Sequence, residues 1–169
     1  NNDLYIGEKV TMTEHMIQSA MLAEQNRSSE SLICACLLHD YGHFIIDDPD
    51  FLVSKSLDGK HEEVAFNFFK DYFKPEVTEP IKLHVLAKKY LCRNKSYWDI
   101  LSEASKVSLK FQGGIMKDNE AKKFTSLRFH KDAISLRKYD DDGKVSNIKI
   151  KKIDDYRNLI NSQLIRSTI

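Results

Sequence analysis

The feature that most constrains this chain is the run Leu32-Ile33-Cys34-Ala35-Cys36-Leu37-Leu38, apolar at every position and followed at once by His39-Asp40. Such a run fits a helix buried on most sides, with Ser28 or Ser29 as its N-terminal cap. Two ionisable side chains at the end of a buried helix carry a large desolvation cost, which hydrogen-bonded partners or a bound metal cation can offset. One His-Asp pair decides nothing by itself, because a lone histidine beside an apolar face is more often a satisfied core or surface residue than a ligand.

The rest of the chain places further histidines near helix starts. Only 3 Pro and 6 Gly interrupt it, and apolar residues recur mostly at three- and four-residue spacing, so the pattern predicts an all-α chain. Thr11-Met12-Thr13-Glu14 forms a capping box for a helix to about Gln25, with His15 in its first turn. A polar, turn-rich loop spans residues 47–59. From Lys60 a third amphipathic pattern runs to Phe73, where Pro75 stops it, and His61 sits at its start. Thr78-Glu79-Pro80 opens a fourth helix that carries His84 and Lys88 one turn apart on one face. A fifth helix is expected from Tyr97 to about Leu109, ending near Gly113-Gly114, with shorter ones around 120–124 and 131–139. Asp140 follows the last of these, and Asp141-Asp142-Gly143-Lys144 reads as a turn. Ile153, Tyr156, Ile160 and Leu164 fit a final amphipathic helix.

Composition bounds the function class. The length suits a single domain over 1–169, with a core of about 5–145 and a helical extension over 146–169. Hydrophobic residues at 41% and charged residues at 30% are ordinary for a globular protein. A net charge of +1, mixed along the chain, gives no field that would favour nucleic acid. No apolar run reaches the roughly 20 residues of a membrane-spanning helix, and no secretory pattern opens the sequence, so a cytoplasmic protein without membrane or obligate protein partner is expected. Cys34, Cys36 and Cys92 lack C-x-x-C spacing, which argues against zinc-thiolate or disulfide chemistry.

Together, His15, His39-Asp40, His61, His84 and Asp140 make the pattern H…HD…H…H…D. With Leu38-His39-Asp40-Tyr41-Gly42-His43 at its centre, the chain resembles the HD-domain superfamily of helical metalloproteins. His15, His39, Asp40 and Asp140 match its minimal one-metal pattern, whereas His61 and His84 match the subgroup that holds a second metal, the mixed-valent diiron oxygenases. Tyr5-Ile6-Gly7-Glu8, the stretch 11–16, Asp58-Gly59-Lys60-His61-Glu62-Glu63, the stretch 78–92 and Leu109-Lys110-Phe111-Gln112-Gly113-Gly114 carry the likeness. Within the subgroup, the chain is most similar to enzymes that cleave 2-amino-1-hydroxyethylphosphonate to glycine and phosphate.

The resemblance implies a helical bundle with a dinuclear site between its helices. One iron would be held by His15, His39, Asp40 and Asp140, and the other by His61, His84 and bridging Asp40, with dioxygen as co-substrate. Imidazole and carboxylate suit iron, although zinc, manganese or nickel would fit the same donors. By the same resemblance Tyr5 occupies an iron position until substrate displaces it, Glu8 contacts the substrate amine, and Ser105 and Gln112, with Ser108 as a substitute, are neutral hydrogen-bonding partners. His43, one turn beyond His39, can face the same cavity. Lys88, one turn from His84, and Arg137, one turn before Asp140, are the cations placed to meet a phosphonate. His130 matches no ligand position, and Trp98 with Tyr97 is expected to pack the fifth helix. The rivals are a phosphohydrolase of the same fold acting on a phosphomonoester or nucleotide, an oxygenase acting on the trimethylammonio analogue, and a ligand sensor with a vestigial metal site.

Overall fold

In the computed structural model, which describes residues 9–46 and 58–165, helix α1 (Met12–Gln25) starts at the expected capping box. The Glu14 N–H donates to Thr11 Oγ1 at 3.1 Å, and the Thr11 N–H donates to Glu14 Oε2 at 2.7 Å. Helix α2 (Glu30–Leu38) is capped by Ser29, whose hydroxyl accepts the Leu32 N–H, and Leu32 through Leu37 are all buried. His39 still has helical backbone, and Asp40 leads into a single 3-10 turn over Tyr41–Phe44.

Helix α3 (His61–Phe69) ends four residues before Phe73, because the following backbone pairs with the C-terminal segment instead. Ile165 N–H donates to the Tyr72 carbonyl at 2.8 Å, Lys74 N–H donates to the Gln163 carbonyl at 3.1 Å, and Phe73 bridges Leu164. Helix α4 (Pro75–Leu91) then begins at Pro75 rather than near Thr78. Proline in the first turn forfeits no helical hydrogen bond, so Pro75 starts the helix, and Pro80 is carried inside it at the loss of one N–H donor.

The expected fifth helix is two. Helix α5 (Lys95–Ile100) stops where Leu101 turns extended and buries its side chain against Cys92 and Leu109. Ser102 then accepts the Ser105 N–H at 3.2 Å and starts helix α6 (Glu103–Phe111). Beyond the left-handed pair Gly113-Gly114 come α7 (Asp118–Thr125) and α8 (His130–Asp142). Asp140 lies inside α8 rather than after it, since Arg137 pairs with Asp140 and Asp141 at the three- and four-residue spacings that support a helix. The final pattern is a 3-10 turn (Ile153–Tyr156) leading into α9 (Arg157–Gln163).

Helix α4 packs against α8, α2 and α3, and α1 packs against α2 and α8. The main core joins these helices through residues such as Ile17, Leu37, Ala65, Ile81 and Leu136, with buried Tyr156 from the tail closing it. Buried Gln163 fastens α9 to α2, accepting from the Ser31 hydroxyl at 2.7 Å and donating to Glu30 at 3.2 Å. Among the described residues no helix is long and apolar enough to cross a membrane.

Candidate metal centre

Five elements deliver the six expected donors to one buried region. His15 comes from the first turn of α1, His39-Asp40 from the end of α2, His61 from the first residue of α3, His84 from mid-α4 and Asp140 from the last turn of α8. They fall into two groups whose donor atoms lie close enough to share an ion, His15/His39/Asp140 and Asp40/His61/His84, and every member is buried.

The two groups meet at Asp40. Its Oδ2 lies 3.4 Å from His15 Nε2, and its Oδ1 lies 3.5 Å from His39, 3.3 Å from His61 and 3.7 Å from His84. Asp140 Oδ1 stands 3.3 Å from His15 Nε2. Within each group the imidazole Nε2 atoms face one another, at 3.2 Å for His15 and His39 and 3.0 Å for His61 and His84. The opposite ring nitrogens explain why. His15 Nδ1 donates to the Gly143 carbonyl, His39 Nδ1 to the Cys36 carbonyl and His84 Nδ1 to the Ile81 carbonyl, at 2.7 to 3.0 Å. A carbonyl only accepts, so these rings carry their protons on Nδ1 and turn the Nε2 lone pairs inward. Converging lone pairs repel unless a cation lies among them, and buried Asp40 Oδ2 and Asp140 Oδ1 accept no hydrogen bond. The residues fit a pair of metal ions.

Without metal, a proton does part of that work. Burial opposes charge on His15, but Asp140 and Asp40 outweigh it and push its pKa up to about 9. Burial lowers His39, and burial with the neighbouring His61 and His39 lowers His84 further. Asp40 and Asp140 are held well below the usual carboxylate range despite burial, Asp40 chiefly by the surrounding histidines and Asp140 chiefly by Arg137 and Lys144.

Around the donors, His43 stacks on His61 with ring centroids 4.1 Å apart, and burial pulls its pKa down to about 3, so it is neutral at pH 7. Lys88 is buried and donates to the Ser108 hydroxyl at 2.9 Å; burial and then Arg137 bring its pKa down to about 7. Ser105 reaches the centre through Arg137, whose Nη2 is 3.4 Å from its hydroxyl. Gln112 closes α6 with a buried Oε1 that accepts no hydrogen bond, and among the described residues it makes no ion pair or hydrogen bond to either group. His130 donates to the Leu127 carbonyl at the start of α8, away from both groups. Tyr5 and Glu8 lie outside the described residues.

Several neighbours escaped the sequence reading. Lys144 stands 3.4 Å from Asp140 Oδ1, and its four-residue spacing from Asp140 was the one available signal. Glu62 is buried with Oε2 3.7 Å from His61 Nδ1, and burial raises its pKa. The Gln18 amide clamps Val145 through two hydrogen bonds of 2.9 and 3.0 Å, which holds the Gly143 carbonyl toward His15. Tyr97 does more than the expected packing, since its hydroxyl donates to Asp141 and accepts from Arg137. Glycine is required at two points of close approach. A Cβ on Gly42 would stand 2.0 Å from the His61 carbonyl oxygen, and one on Gly143 would stand 2.6 Å from Ser19 Oγ.

Comparison with known proteins agrees with this geometry. The HD domain family matches residues 12–156. The chain is 40% identical over 168 residues to the hydroxymethylphosphonate dioxygenase of Gimesia maris, covering 96% of this chain and 82% of that one. It is 41% identical over 146 residues to the glycine-betaine-forming [1-hydroxy-2-(trimethylamino)ethyl]phosphonate dioxygenase of Leisingera caerulea, covering 86% and 74%. A third relative, the uncharacterised protein L432 of Acanthamoeba polyphaga mimivirus, is 38% identical over 167 residues, covering 97% and 76%. A family match over most of the described fold and two dioxygenases aligned along it place this chain in the HD-domain family, among its phosphonate oxygenases.

Proposed function

We propose that the protein is a diiron oxygenase that cleaves the carbon–phosphorus bond of a small 1-hydroxyphosphonate of the 2-amino-1-hydroxyethylphosphonate type, giving glycine and phosphate. The observation that carries this reading is the Asp40 carboxylate set between two pairs of inward-facing imidazoles, with no thiolate in either group. His15, His39, Asp40 and Asp140 would hold one iron and His61, His84 and Asp40 the other. Iron in a mixed-valent pair supplies the one-electron chemistry that dioxygen activation needs.

The protein's own part is binding and orientation. Lys88, part charged near neutral pH, gains its full ammonium charge beside a phosphonate dianion, and because its hydrogen-bond partner is a neutral hydroxyl a phosphonate oxygen can take it without displacing a carboxylate. Arg137, paired with Asp140, adds positive charge to the same region and would favour the substrate anion there. Ser105, Ser108 and Gln112 supply neutral donors around the same anion. His43, neutral and stacked on His61, lies beside the same donors as a hydrogen-bonding neighbour of the substrate. Tyr5 and Glu8 keep the roles their motif implies, Tyr5 as a ligand displaced by substrate and Glu8 as the partner of the amine.

The test is aerobic incubation of iron-loaded protein, with ascorbate, against three phosphonates: the primary amine, its trimethylammonio analogue and hydroxymethylphosphonate. Phosphate with stoichiometric glycine from the primary amine, and none under nitrogen, is the expected result. Faster release from either other compound reassigns the substrate. Phosphate release from phosphomonoesters under nitrogen with manganese makes the protein a hydrolase and ends the oxygenase reading.

A further inference from the structure

We infer that Tyr97 and Asp141, neither of them a metal donor, are positioning residues that fix Arg137 and, through it, the candidate ligand Asp140. The inference rests on the two-metal reading above. Arg137 is buried, and a buried guanidinium needs its N–H groups satisfied. Its Nη1 donates to Asp140 Oδ2 at 2.6 Å, its Nη2 to Asp141 Oδ1 and, at 3.4 Å, to Ser105, and its Nε to the Tyr97 hydroxyl at 3.3 Å. The Tyr97 hydroxyl in turn donates to Asp141 Oδ2. Tyr97, Asp141 and Arg137 thus form a closed triangle that ties α5 to the last turn of α8.

The triangle acts on Asp140 in two ways. Geometrically, Arg137 takes Oδ2 and leaves Oδ1, which accepts no hydrogen bond, between His15 Nε2 at 3.3 Å and Lys144 Nζ at 3.4 Å. With the guanidinium held on its other edges by Tyr97 and Asp141, the Asp140 carboxylate cannot rotate freely. Electrostatically, Asp141 shares the positive charge of Arg137. A guanidinium paired with Asp140 alone would compete for that carboxylate with any cation bound beside it. Packing explains only part of the arrangement: the Tyr97 ring sits with Cys92, Leu101 and Leu109, but those apolar neighbours account for the ring and not for the hydroxyl.

The test is an anaerobic Fe(II) titration of the full chain in competition with a chelator, resolving each binding step. The step belonging to the His15/His39/Asp140 group is identified as the one that survives in His84→Ala. Asp141→Asn is expected to weaken that step about tenfold or more, as loss of a partner behind a metal ligand does. Tyr97→Phe should weaken it less, Asp141→Glu should recover most of the loss, and the His61/His84 step should stay within twofold throughout. The unfolding midpoint of the metal-free variants serves as the fold control, and Tyr97→Phe, which keeps the ring, carries the test if Asp141→Asn does not fold. Unchanged affinities in a folded Tyr97→Phe, or equal weakening of both steps, overturns the inference. A wild-type chain that binds fewer than two Fe(II) overturns the two-metal reading instead.

Discussion

The two halves of the candidate metal centre are built differently. In the half formed by α1, α2 and α8, His15 and His39 are each anchored through Nδ1 to a backbone carbonyl, both are fully buried, and Arg137 and Lys144 balance Asp140. In the half formed by α3 and α4, His84 has such an anchor, but His61 has a carboxylate 3.7 Å away, is partly open at its side chain and is covered by the stacked ring of His43. One half is set into the core by main chain, and the other is finished at a rim by side chains. The difference teaches where exchange is expected: metal and substrate would reach the rim half first, and the core half would keep its ion longer.

Asp40→Ala breaks the comparison altogether, because both halves lean on that carboxylate. Metal content measured by elemental analysis should fall below one ion per chain, and turnover should drop by more than the roughly hundredfold ceiling for losing an outer-shell partner.

Single histidine variants come next and sharpen it. His84→Ala should keep one tightly held ion and His15→Ala should keep one labile ion, and chelator chase of each variant measures the two rates. If the ion left in His84→Ala exchanges as fast as the one left in His15→Ala, the core-against-rim distinction fails.

Acidity acts on the core half by a smaller factor. In the metal-free chain His15 is protonated below about pH 9, so an ion entering the core half must expel that proton. Affinity there should rise by up to about tenfold per pH unit between 7 and 9 and level off above, as expected for one proton released per ion. The sign for stability is opposite. A pKa raised from 6.5 to about 9 stabilises the metal-free fold fully below 6.5, and that contribution disappears as pH climbs through 9. Thermal unfolding of metal-free and loaded protein across this range reads both trends, and a loaded protein whose midpoint falls in parallel with the metal-free one would contradict them.

The most local effect expected is from Gly42→Ala. The added methyl has no room against the His61 carbonyl, so α3 must shift, at a cost on the scale of about 1–3 kcal/mol for overpacking. The unfolding midpoint should drop, and the rim half should lose more metal affinity than the core half.

Local chemistry was legible in the sequence, and long-range chemistry mostly was not. The α1 capping box and the buried run of α2 came out where periodicity placed them, since each depends on neighbours a few residues apart. Proline misled in both directions: Pro75 opens a helix it was expected to end, and Pro80 lies within one. The break at Leu101 depends on burial against Cys92 and Leu109, which no local pattern encodes. The candidate donors were legible only as a set of spacings matched to a family, and the structure brings those described residues together. Their supports were hidden for the same reason: Gln18 meets Val145, and Tyr97 meets Asp141, across many tens of residues.

The pairing of Tyr72 and Lys74 with the end of the described chain has a mechanical consequence. Gln163 and Ile165 clasp the link between α3 and α4 while the same Gln163 grips the start of α2, so this short segment laces the rim half of the centre to the helix that ends in His39 and Asp40. The match to the family stops at residue 156, before that lacing begins. Undoing it would leave the donors themselves untouched and still let the two helices that carry His61 and His84 drift from the carboxylate they share.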